Sequence, residues 1–342
     1  MRGGARRPWP DTILTLIVAL LALQLAAEPP ARSCSPEETA ALLAPGAHDD
    51  PPVRLTCRAR LGPGDRITRR VLIEGAEASG AGLICDGSVI GRAGQATTTR
   101  APTIAVWSRR DGLDWSRPRN ILIQGCHVHC AIRIWGVGAG QRMDDLRQSS
   151  YRADHTGRLQ AAAPTMVRLE DVTITGTGSI PLYVGPGVTG LSLTGSRLDG
   201  RSESTAIYLD AESGLNVVSD NTIAVRTGRE VIAVDGSAGN VITGNTIHLS
   251  AGGLINRGGV FLYRNCGEDG IVRHQTPSNN RITGNTFRAS WFGTARAVVV
   301  GSREGNRRYC DADAGHPFGS SINDGDDASG NVVEENRVER GL

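Results

Sequence analysis

The sequence predicts an all-β protein, a right-handed parallel β-helix with loop insertions on one face. The first observation is composition: the 342 residues include 44 Gly and only 4% aromatic residues, and the Gly is scattered among Val, Ile, Thr and Asn. A sequence of this composition favours short strands with frequent turns. The second observation is a recurring eight-residue pattern with Asn at its first and sixth positions. No apolar run beyond the N-terminus has the length and period of an amphipathic helix.

Four copies of this pattern align, and they begin at Asn216, Asn240, Asn280 and Asn331. The starts are 24, 40 and 51 residues apart. One β-helix coil takes roughly 20–25 residues, so the longer spacings indicate coils that carry an inserted loop. One unit buries too little apolar surface alone, but stacked units pair as parallel strands about 4.8 Å apart. A β-sandwich would need two-residue hairpin signals, which are missing.

The second Asn of each copy is expected at a turn. Asn tolerates the left-handed backbone conformation that a turn there would need. Asn residues in the same place on successive coils would also hydrogen-bond up the stack as a ladder. The repeat therefore predicts both the fold and one of the interactions that hold it.

The Asn units and the stretch Gly82-Leu-Ile-Cys-Asp-Gly-Ser-Val-Ile-Gly91 resemble the pectate-lyase-like right-handed β-helix superfamily. Segments such as Ile207-Tyr-Leu-Asp-Ala-Glu-Ser213 also resemble an exported bacterial β-helix family without a clear activity. The resemblance covers roughly residues 70–340 and implies the fold. It says little about chemistry, because this fold carries lyases, hydrolases, epimerases and binding proteins.

Residues 1–27 are interpreted as a secretory signal peptide. Three Arg residues precede an apolar stretch over 13–27 that ends in small side chains at Ala26 and Ala27. An uncleaved membrane anchor is the alternative, although the apolar run is shorter than the ~20 residues that a span needs. We expect export to a bacterial periplasm or beyond, a cap region over 28–69 and the β-helix over 70–342.

Export predicts that most of the seven Cys pair, with one left over. Cys34–Cys57 would close the cap, and Cys266–Cys310 would join two loops. The other three lie in apolar segments that resemble strands and are expected to be buried: Cys85, Cys126 and Cys130. Their irregular spacing does not indicate a zinc site.

All 37 basic side chains are Arg, which excludes a lysine base or Schiff base. The net charge of +2 argues against a broad positively charged surface that binds nucleic acid. We expect no nucleic-acid partner, no membrane contact after signal cleavage, and a monomer, although nothing in the sequence fixes the oligomeric state.

The strands that precede the Asn units share a pattern, seen in Ile132-Arg-Ile-Trp135, Ile180-Pro-Leu-Tyr183 and Ile207-Tyr-Leu-Asp210. The first and third positions are apolar and should point inward, and the second and fourth outward. The fourth positions form a predicted outward column: Trp107, Trp135, Tyr183, Asp210, Asp235, Tyr263 and Gly301. Sugar rings stack on aromatic faces, so a linear polymer along the axis would meet this column. The predicted substrate-binding residues are Trp107, Trp135, Tyr183, Tyr263, Glu212, Arg229 and Glu230.

Asp210 and Asp235 would lie on adjacent strands about 4.8 Å apart. Two carboxylates that close should share a proton, with one pKa raised, or bind a cation such as Ca²⁺. A raised pKa suits a general acid for glycoside cleavage. The alternative is that each Asp accepts turn amides or pairs with an Arg. Long segments over 136–164, 265–279 and 302–330 follow this strand and would form the walls of a cleft.

These features predict an exported carbohydrate-active protein that cleaves or epimerises an acidic, uronic-acid-containing polysaccharide. A lyase or epimerase would use Arg264, Arg303, His274 or Tyr263 as a base toward C5, and a hydrolase would use Asp210 and Asp235. The alternative is a non-catalytic β-helix that binds carbohydrate or serves as a structural module.

Overall fold

The structure is a computed structural model that describes residues 31–95, 97–139, 143–251, 254–265, 270–290, 296–306 and 323–341. The predicted signal peptide over 1–27 and the predicted Cys266–Cys310 disulfide lie outside these residues. Within the described residues, no helix is long and apolar enough to cross a membrane.

The chain coils through three parallel sheets of nine strands each, which confirms the predicted parallel β-helix. Each coil contributes one strand to sheet I, then one to sheet II and one to sheet III. Sheet I contains Val53–Arg54, Val71–Glu74, Ile104–Trp107, Ile132–Trp135, Leu182–Val184, Ile207–Leu209, Glu230–Asp235, Gly258–Tyr263 and Val298–Val300. Sheet II contains Arg58–Leu61, Gly82–Cys85, Arg119–Gln124, Thr165–Glu170, Ser192–Thr194, Val217–Ser219, Val241–Thr243, Arg281–Thr283 and Val332–Glu334. Sheet III contains Arg66–Ile67, Val89–Ile90, His127–His129, Thr173–Gly178, Arg197–Ser202, Thr222–Ile223, Thr246–His248, Thr286–Ala289 and Arg337–Arg340.

Short helices and hairpins decorate this frame. Helix α1 (Pro36–Leu43) precedes the first coil and begins with a capping box between Ser35 and Glu38. Helices α2 (Met143–Ser150) and α3 (His155–Ala162) lie in the segment that follows the sheet I strand Ile132–Trp135. The remaining elements are a 3₁₀ turn, Ala76–Ala78, and two antiparallel hairpins, Arg109–Asp111 with Asp114–Ser116 and Ser250–Ala251 with Leu254–Ile255.

The core follows from the alternation of side chains along each strand. In sheet I, Ile207 and Leu209 at the first and third positions are fully buried and stack on Ile232 and Val234 of the next coil, whereas Val300 at the third position of the last coil is exposed. Burying each aliphatic side chain of this size contributes roughly 1.5–3 kcal/mol. One continuous apolar column therefore joins the coils, and the outward positions are left for function.

The Asn residues at the first and sixth positions of each unit build two ladders inside the coil. Asn221 Nδ2 donates to Asn245 Oδ1 at 2.9 Å, and Asn245 Nδ2 donates to Asn285 Oδ1 at 2.9 Å. The first Asn of each unit does the same, with Asn216 Nδ2 2.9 Å from Asn240 Oδ1. The predicted ladder is therefore present twice.

The left-handed turn position is not the Asn itself, as the sequence suggested, but the residue before it. Asp220 (φ 59°) precedes Asn221, Gly244 (φ 67°) precedes Asn245, and Glu335 has φ 57° in the last copy. The physical reason is that this backbone conformation turns the next side chain into the coil. There the Asn amide meets its partners in the neighbouring coils.

Two disulfides join neighbouring coils near the N-terminus. Cys34–Cys57 is present as predicted. Cys85 and Cys126, expected to be merely buried, form a second disulfide with a Cα–Cα distance of 4.9 Å. The spacing of parallel strands lies within the range of Cα distances that a disulfide bridges, so stacking alone aligns the pair. Cys130 is a buried free thiol.

We predict that Asn245→Ala lowers the free energy of unfolding by about 2–4 kcal/mol. The buried side chain satisfies Asn221 N and Nδ2 and donates to Val218 O and Asn285 Oδ1, so truncation leaves several buried polar groups without partners. The measurement is chemical denaturation followed by circular dichroism. Asp220→Gly is the matched control, because Gly favours the positive φ of the same turn and should not destabilise the protein. Equal loss in both variants would contradict the role of the ladder.

Candidate functional site

The outer face of sheet I carries two columns of outward side chains. The fourth positions place Trp107 beside Trp135 and, further along, Asp235 beside Tyr263. The second positions form a column that the sequence analysis did not use: Ala105, Arg133, Tyr183, Tyr208, Ala233, Phe261 and Val299.

Tyr183 belongs to this second column, which corrects the predicted alignment. It pairs with Arg133 and Tyr208, and Gly185 occupies the place in the Trp and Asp column. Pro181 has no amide hydrogen to donate to the ladder, and the strand begins after it at Leu182. A shift of two residues keeps every side chain on its face, so the alternation of the sequence does not reveal it.

Three tyrosine–carboxylate pairs occupy this face. Each phenol donates a hydrogen bond to a carboxylate on an adjacent coil. The distance from Tyr208 Oη to Asp235 Oδ2 is 2.5 Å, and that from Tyr263 Oη to Glu230 Oε1 is 3.0 Å. The third pair is Tyr183 with Asp210. Burial raises the pKa values of all three phenols well above the usual value, so they remain protonated donors.

Three arginines balance these carboxylates. Arg273 Nη1 lies 3.0 Å from Asp210 Oδ1. The Arg303 guanidinium carbon lies 3.7 Å from the centre of the Tyr263 ring, and that of Arg133 lies 4.0 Å from the Tyr183 ring. Arginine held over an aromatic face is attracted by the ring quadrupole, most strongly where water is excluded. The face is therefore a closely packed cluster of phenols, carboxylates and guanidinium groups.

Asp235 is the most perturbed carboxyl of the cluster. Burial raises its pKa to about 6, Arg273 acts to lower it, and Asp210 raises it. Oδ1 accepts the Asn265 amide at 2.6 Å, and Oδ2 accepts the Tyr208 hydroxyl. The cluster thus contains a carboxyl that changes its charge near neutral pH.

The predicted open groove is largely closed over the carboxylates. Asp210 is 5% exposed and Asp235 is fully buried. Among the described residues of the two columns, those that reach solvent in part are Trp107, Trp135, Tyr208, Val299 and Gly301. The pattern of outward positions was right, but the segment around 270–279 folds back onto the middle of the face.

Glu212 and His274 hold that segment in place rather than forming part of the Asp cluster. The buried Glu212 side chain accepts the His274 amide at 2.7 Å and the Gln275 amide at 3.2 Å. His274 Nε2 lies 2.7 Å from the Ser150 carbonyl oxygen at the end of α2. The predicted role of His274 as a base toward the polymer is therefore not supported by its position.

Arg264 and Arg229 also lie apart from the carboxylates of the three tyrosine–carboxylate pairs. Arg264 Nη2 donates to Asn323 Oδ1 at 2.9 Å, and the Asp326 carboxylate accepts the backbone amides of Arg264 and Arg303, each at 2.9 Å. Arg229 is exposed at the start of its strand, and its carbonyl accepts the Arg257 amide. Of the predicted cationic candidates, Arg303 alone reaches the cluster.

The residues around Asp210 and Asp235 do not fit a calcium ion. Calcium takes six to eight oxygen ligands. Here the carboxylate oxygens already accept phenol, backbone amide and guanidinium donors, namely Tyr183, Ala211 and Arg273 on Asp210 and Tyr208 and Asn265 on Asp235. An arginine at 3.0 Å supplies the positive charge that a cation would bring. We therefore derive no step through calcium.

Arg133 and Tyr208 are the cluster members that the predicted site omitted, and Arg273 was expected only in a wall of the cleft, as a residue that recognises acidic sugars. The signal for Arg133 and Tyr208 was present in the second outward position of each strand, which is as exposed to the face as the fourth. Arg273 comes from a loop, and its approach to Asp210 depends on how that loop folds back. No strand pattern encodes that contact.

Neither a protein-family model nor a curated protein matches this chain. Solved structures similar to it include an alginate lyase from Paenibacillus sp. str. FPU-7, with 12% identity and a TM-score of 0.41 over 78% of this chain and 94% of that chain. A mutant of the periplasmic alginate epimerase AlgG is similar with 12% identity and a TM-score of 0.26, over 84% of this chain and 76% of that chain. The fold assignment rests on the strand pairing of this chain itself.

We predict that Asp235 makes the folded state less stable as the pH rises from 4 to 7. Its folded pKa of about 6 lies above its ordinary 3.8. The stability linked to its bound proton is therefore fully present below pH ~4 and lost as the pH rises through about 6, a change of about 3 kcal/mol. Relative to Asp235→Asn, the free energy of unfolding of the wild type should fall over this range.

Two further variants sharpen the measurement. The Tyr208 hydrogen bond lowers the pKa of Asp235, so Tyr208→Phe should move the midpoint to higher pH. Asp86→Asn changes an exposed aspartate and reports the effect of the substitution itself. A difference between wild type and Asp235→Asn that does not change with pH would show that Asp235 is not the titrating group.

Proposed function

We propose that this protein is an extracytoplasmic enzyme that abstracts the C5 proton of uronic acid residues in an acidic polysaccharide, as a lyase or an epimerase does. The observation that carries this proposal is the pairing of the partly exposed Tyr208 with the buried Asp235. A tyrosine whose ring is partly exposed, and a buried carboxyl that accepts its hydroxyl hydrogen bond, form a two-step path for a proton in this proposal. The outer face of sheet I is the reaction surface.

The proton path follows from the hydrogen bond. Tyr208 Oη takes the C5 proton as its own proton passes to Asp235 Oδ2, which becomes a neutral carboxyl. The electron pair of the C5–H bond then enters the uronate as an enolate. In elimination, this pair forms C4=C5, the C4–O4 bond breaks, and O4 takes the proton from Tyr208 Oη as Asp235 returns its proton to Tyr208. In epimerisation, C5 takes a proton from water on its opposite face, and Asp235 releases its proton to water. General acid–base catalysis works best when the pKa of the group lies near the working pH, as that of Asp235 does.

The arginines supply the positive charge that stabilises the enolate in this reaction. The enolate carries a second negative charge beside the uronate carboxylate, and guanidinium groups bind carboxylates through paired hydrogen bonds. Arg303 is packed on Tyr263 and hydrogen-bonded to Asn265, beside Asp235. Arg303 acts as the charge-stabilising group in this proposal, and Trp107 and Trp135 provide faces for neighbouring sugar rings.

Hydrolysis by the two aspartates is less consistent with the geometry. A glycosidase needs one carboxyl able to protonate the glycosidic oxygen and another that attacks or activates water from the other side. Asp210 and Asp235 are both buried, and their oxygens are engaged by phenols, amides and Arg273. Neither presents a free oxygen toward a bound polymer.

A non-catalytic carbohydrate-binding protein is the second candidate, because the same burial also suits a structural brace. In that case the three Tyr–carboxylate pairs would fix the coils in register, and the exposed aromatic side chains alone would contact sugar. The two candidates differ in whether any polymer is chemically changed.

We predict that Tyr208→Phe and Asp235→Asn each lower kcat on the substrate polymer by at least about 100-fold, because each interrupts the proton path. The substrates are polymers of galacturonic, glucuronic, mannuronic and guluronic acid, including alginate, which both similar structures name. Ultraviolet absorbance of unsaturated ends measures lyase activity, and proton NMR of sugar composition measures epimerisation. Asp86→Asn is the matched control and should retain full activity.

Thermal unfolding of each variant separates loss of chemistry from loss of fold. New reducing ends without unsaturation would select hydrolysis instead. Binding without any chemical change in wild-type protein would select the non-catalytic alternative.

A further inference from the structure

A second cleft opens beside the face of sheet I, between the hairpin over 109–116 and helices α2 and α3. Its volume is about 890 Å³, which is within the range of small-molecule sites. Trp115 and Leu113 come from the hairpin, Gln148 from α2, and Arg158 from α3. No residue of this cleft belongs to the Tyr–carboxylate cluster.

The cleft is built on its own small core. Val137, Leu146, Leu159 and Ile271 form a separate apolar cluster, and Trp115 packs against it. Arg110 of the hairpin forms an ion pair with Asp145 of α2, which ties one wall to the other. The walls therefore have defined positions, and the Trp115 ring is held in place with part of its surface exposed.

The lining combines aromatic surface with charged side chains, of which Arg110, Arg152 and Arg158 outnumber Asp114 and Asp145. Leu113 is 89% exposed, and Tyr151 is 44% exposed on the opposite side. Arg158 is exposed, and its positive charge helps to lower the pKa of Asp154, although within the described residues no hydrogen bond or ion pair holds its guanidinium group. Arg152 lies nearby and shares its charge with Asp154. An aromatic face beside an unengaged guanidinium suits a sugar ring that bears a carboxylate.

The cleft and the candidate reaction surface share one structural segment. The Tyr151 hydroxyl donates to the Gly270 carbonyl at 3.0 Å, and the Val272 amide donates to Ser150 Oγ at 3.0 Å. The next residue of that segment is Arg273, which binds Asp210. The hairpin follows the sheet I strand that ends at Trp107, and the helices follow the strand that ends at Trp135. The cleft therefore lies at the Trp end of the predicted polymer path.

We propose that this cleft is a distal subsite that binds uronic acid residues of the same polymer, away from the residue that reacts. Trp115 stacks on a sugar ring, and Arg158 pairs with its carboxylate. This inference rests on the proposed function and adds to it a preference for long, negatively charged chains.

The test compares binding and turnover of uronic acid oligomers of two lengths. Octamers and trimers of the active polymer are titrated into the protein by calorimetry, with carboxyl-reduced octamers as the neutral probe. Trp115→Ala and Arg158→Gln should weaken octamer binding about tenfold and raise its KM without lowering kcat, and trimer turnover should stay unchanged. Trp115→Phe retains an aromatic face and should recover most of the affinity. Arg281→Gln, an exposed arginine on sheet II, is the matched control and should behave as the wild type.

The outcomes separate this proposal from the proposed function. If Trp115→Ala and Arg158→Gln bind the octamer as the wild type does while Tyr208→Phe loses turnover, the distal subsite is wrong and the reaction surface stands. Wild-type binding of reduced and acidic octamers with equal affinity would also overturn the subsite. If the wild type neither binds nor changes any uronic acid polymer, both proposals fail.

Discussion

The spacing between stacked parallel strands, about 4.8 Å, is the constraint on which the rest of this structure depends. It places Asn221, Asn245 and Asn285 within hydrogen-bond reach of one another. It also brings Tyr208 from one coil to Asp235 on the next. A single coil buries too little apolar surface to be stable alone, and stacking the coils solves this. The same stacking aligns polar side chains in columns. The same strand spacing therefore positions the Asn ladders inside the coil and the Tyr–carboxylate cluster on its outer face.

The buried cluster on sheet I stabilises the fold less than an apolar face would. Removing carboxylates and guanidinium groups from water is costly, and partners recover that cost only in part. The pKa of Asp235, raised to about 6, reflects this incomplete recovery. Asn residues in the ladders, by contrast, are neutral and have their hydrogen-bonding groups satisfied. The neutral ladders therefore bury polar groups at a lower cost in free energy than the charged cluster does.

The sequence was sufficient for the fold, because strand alternation and the Asn repeat are local patterns that stacking preserves. It also pointed to sheet I as the candidate face and to Asp235 as a candidate site residue, and both of these stay predictions. It was not sufficient for the position of Tyr183, since a two-residue shift leaves the alternation unchanged. Nor did it place Arg273 on Asp210 or His274 at Ser150. Those contacts are made by loops, whose paths depend on long-range packing rather than on a period in the sequence.

The loops also decide which group can meet a substrate. The segment around 270–279 crosses the face and is fixed on one side by Glu212 and on the other by Ser150. It buries Asp210 and leaves the Tyr208 ring partly exposed. A polymer on this face would therefore meet a phenol before it meets a carboxylate. In the proposed mechanism the proton therefore passes through that phenol, and the hydrogen bond from Tyr208 to Asp235 connects the face to the buried carboxyl.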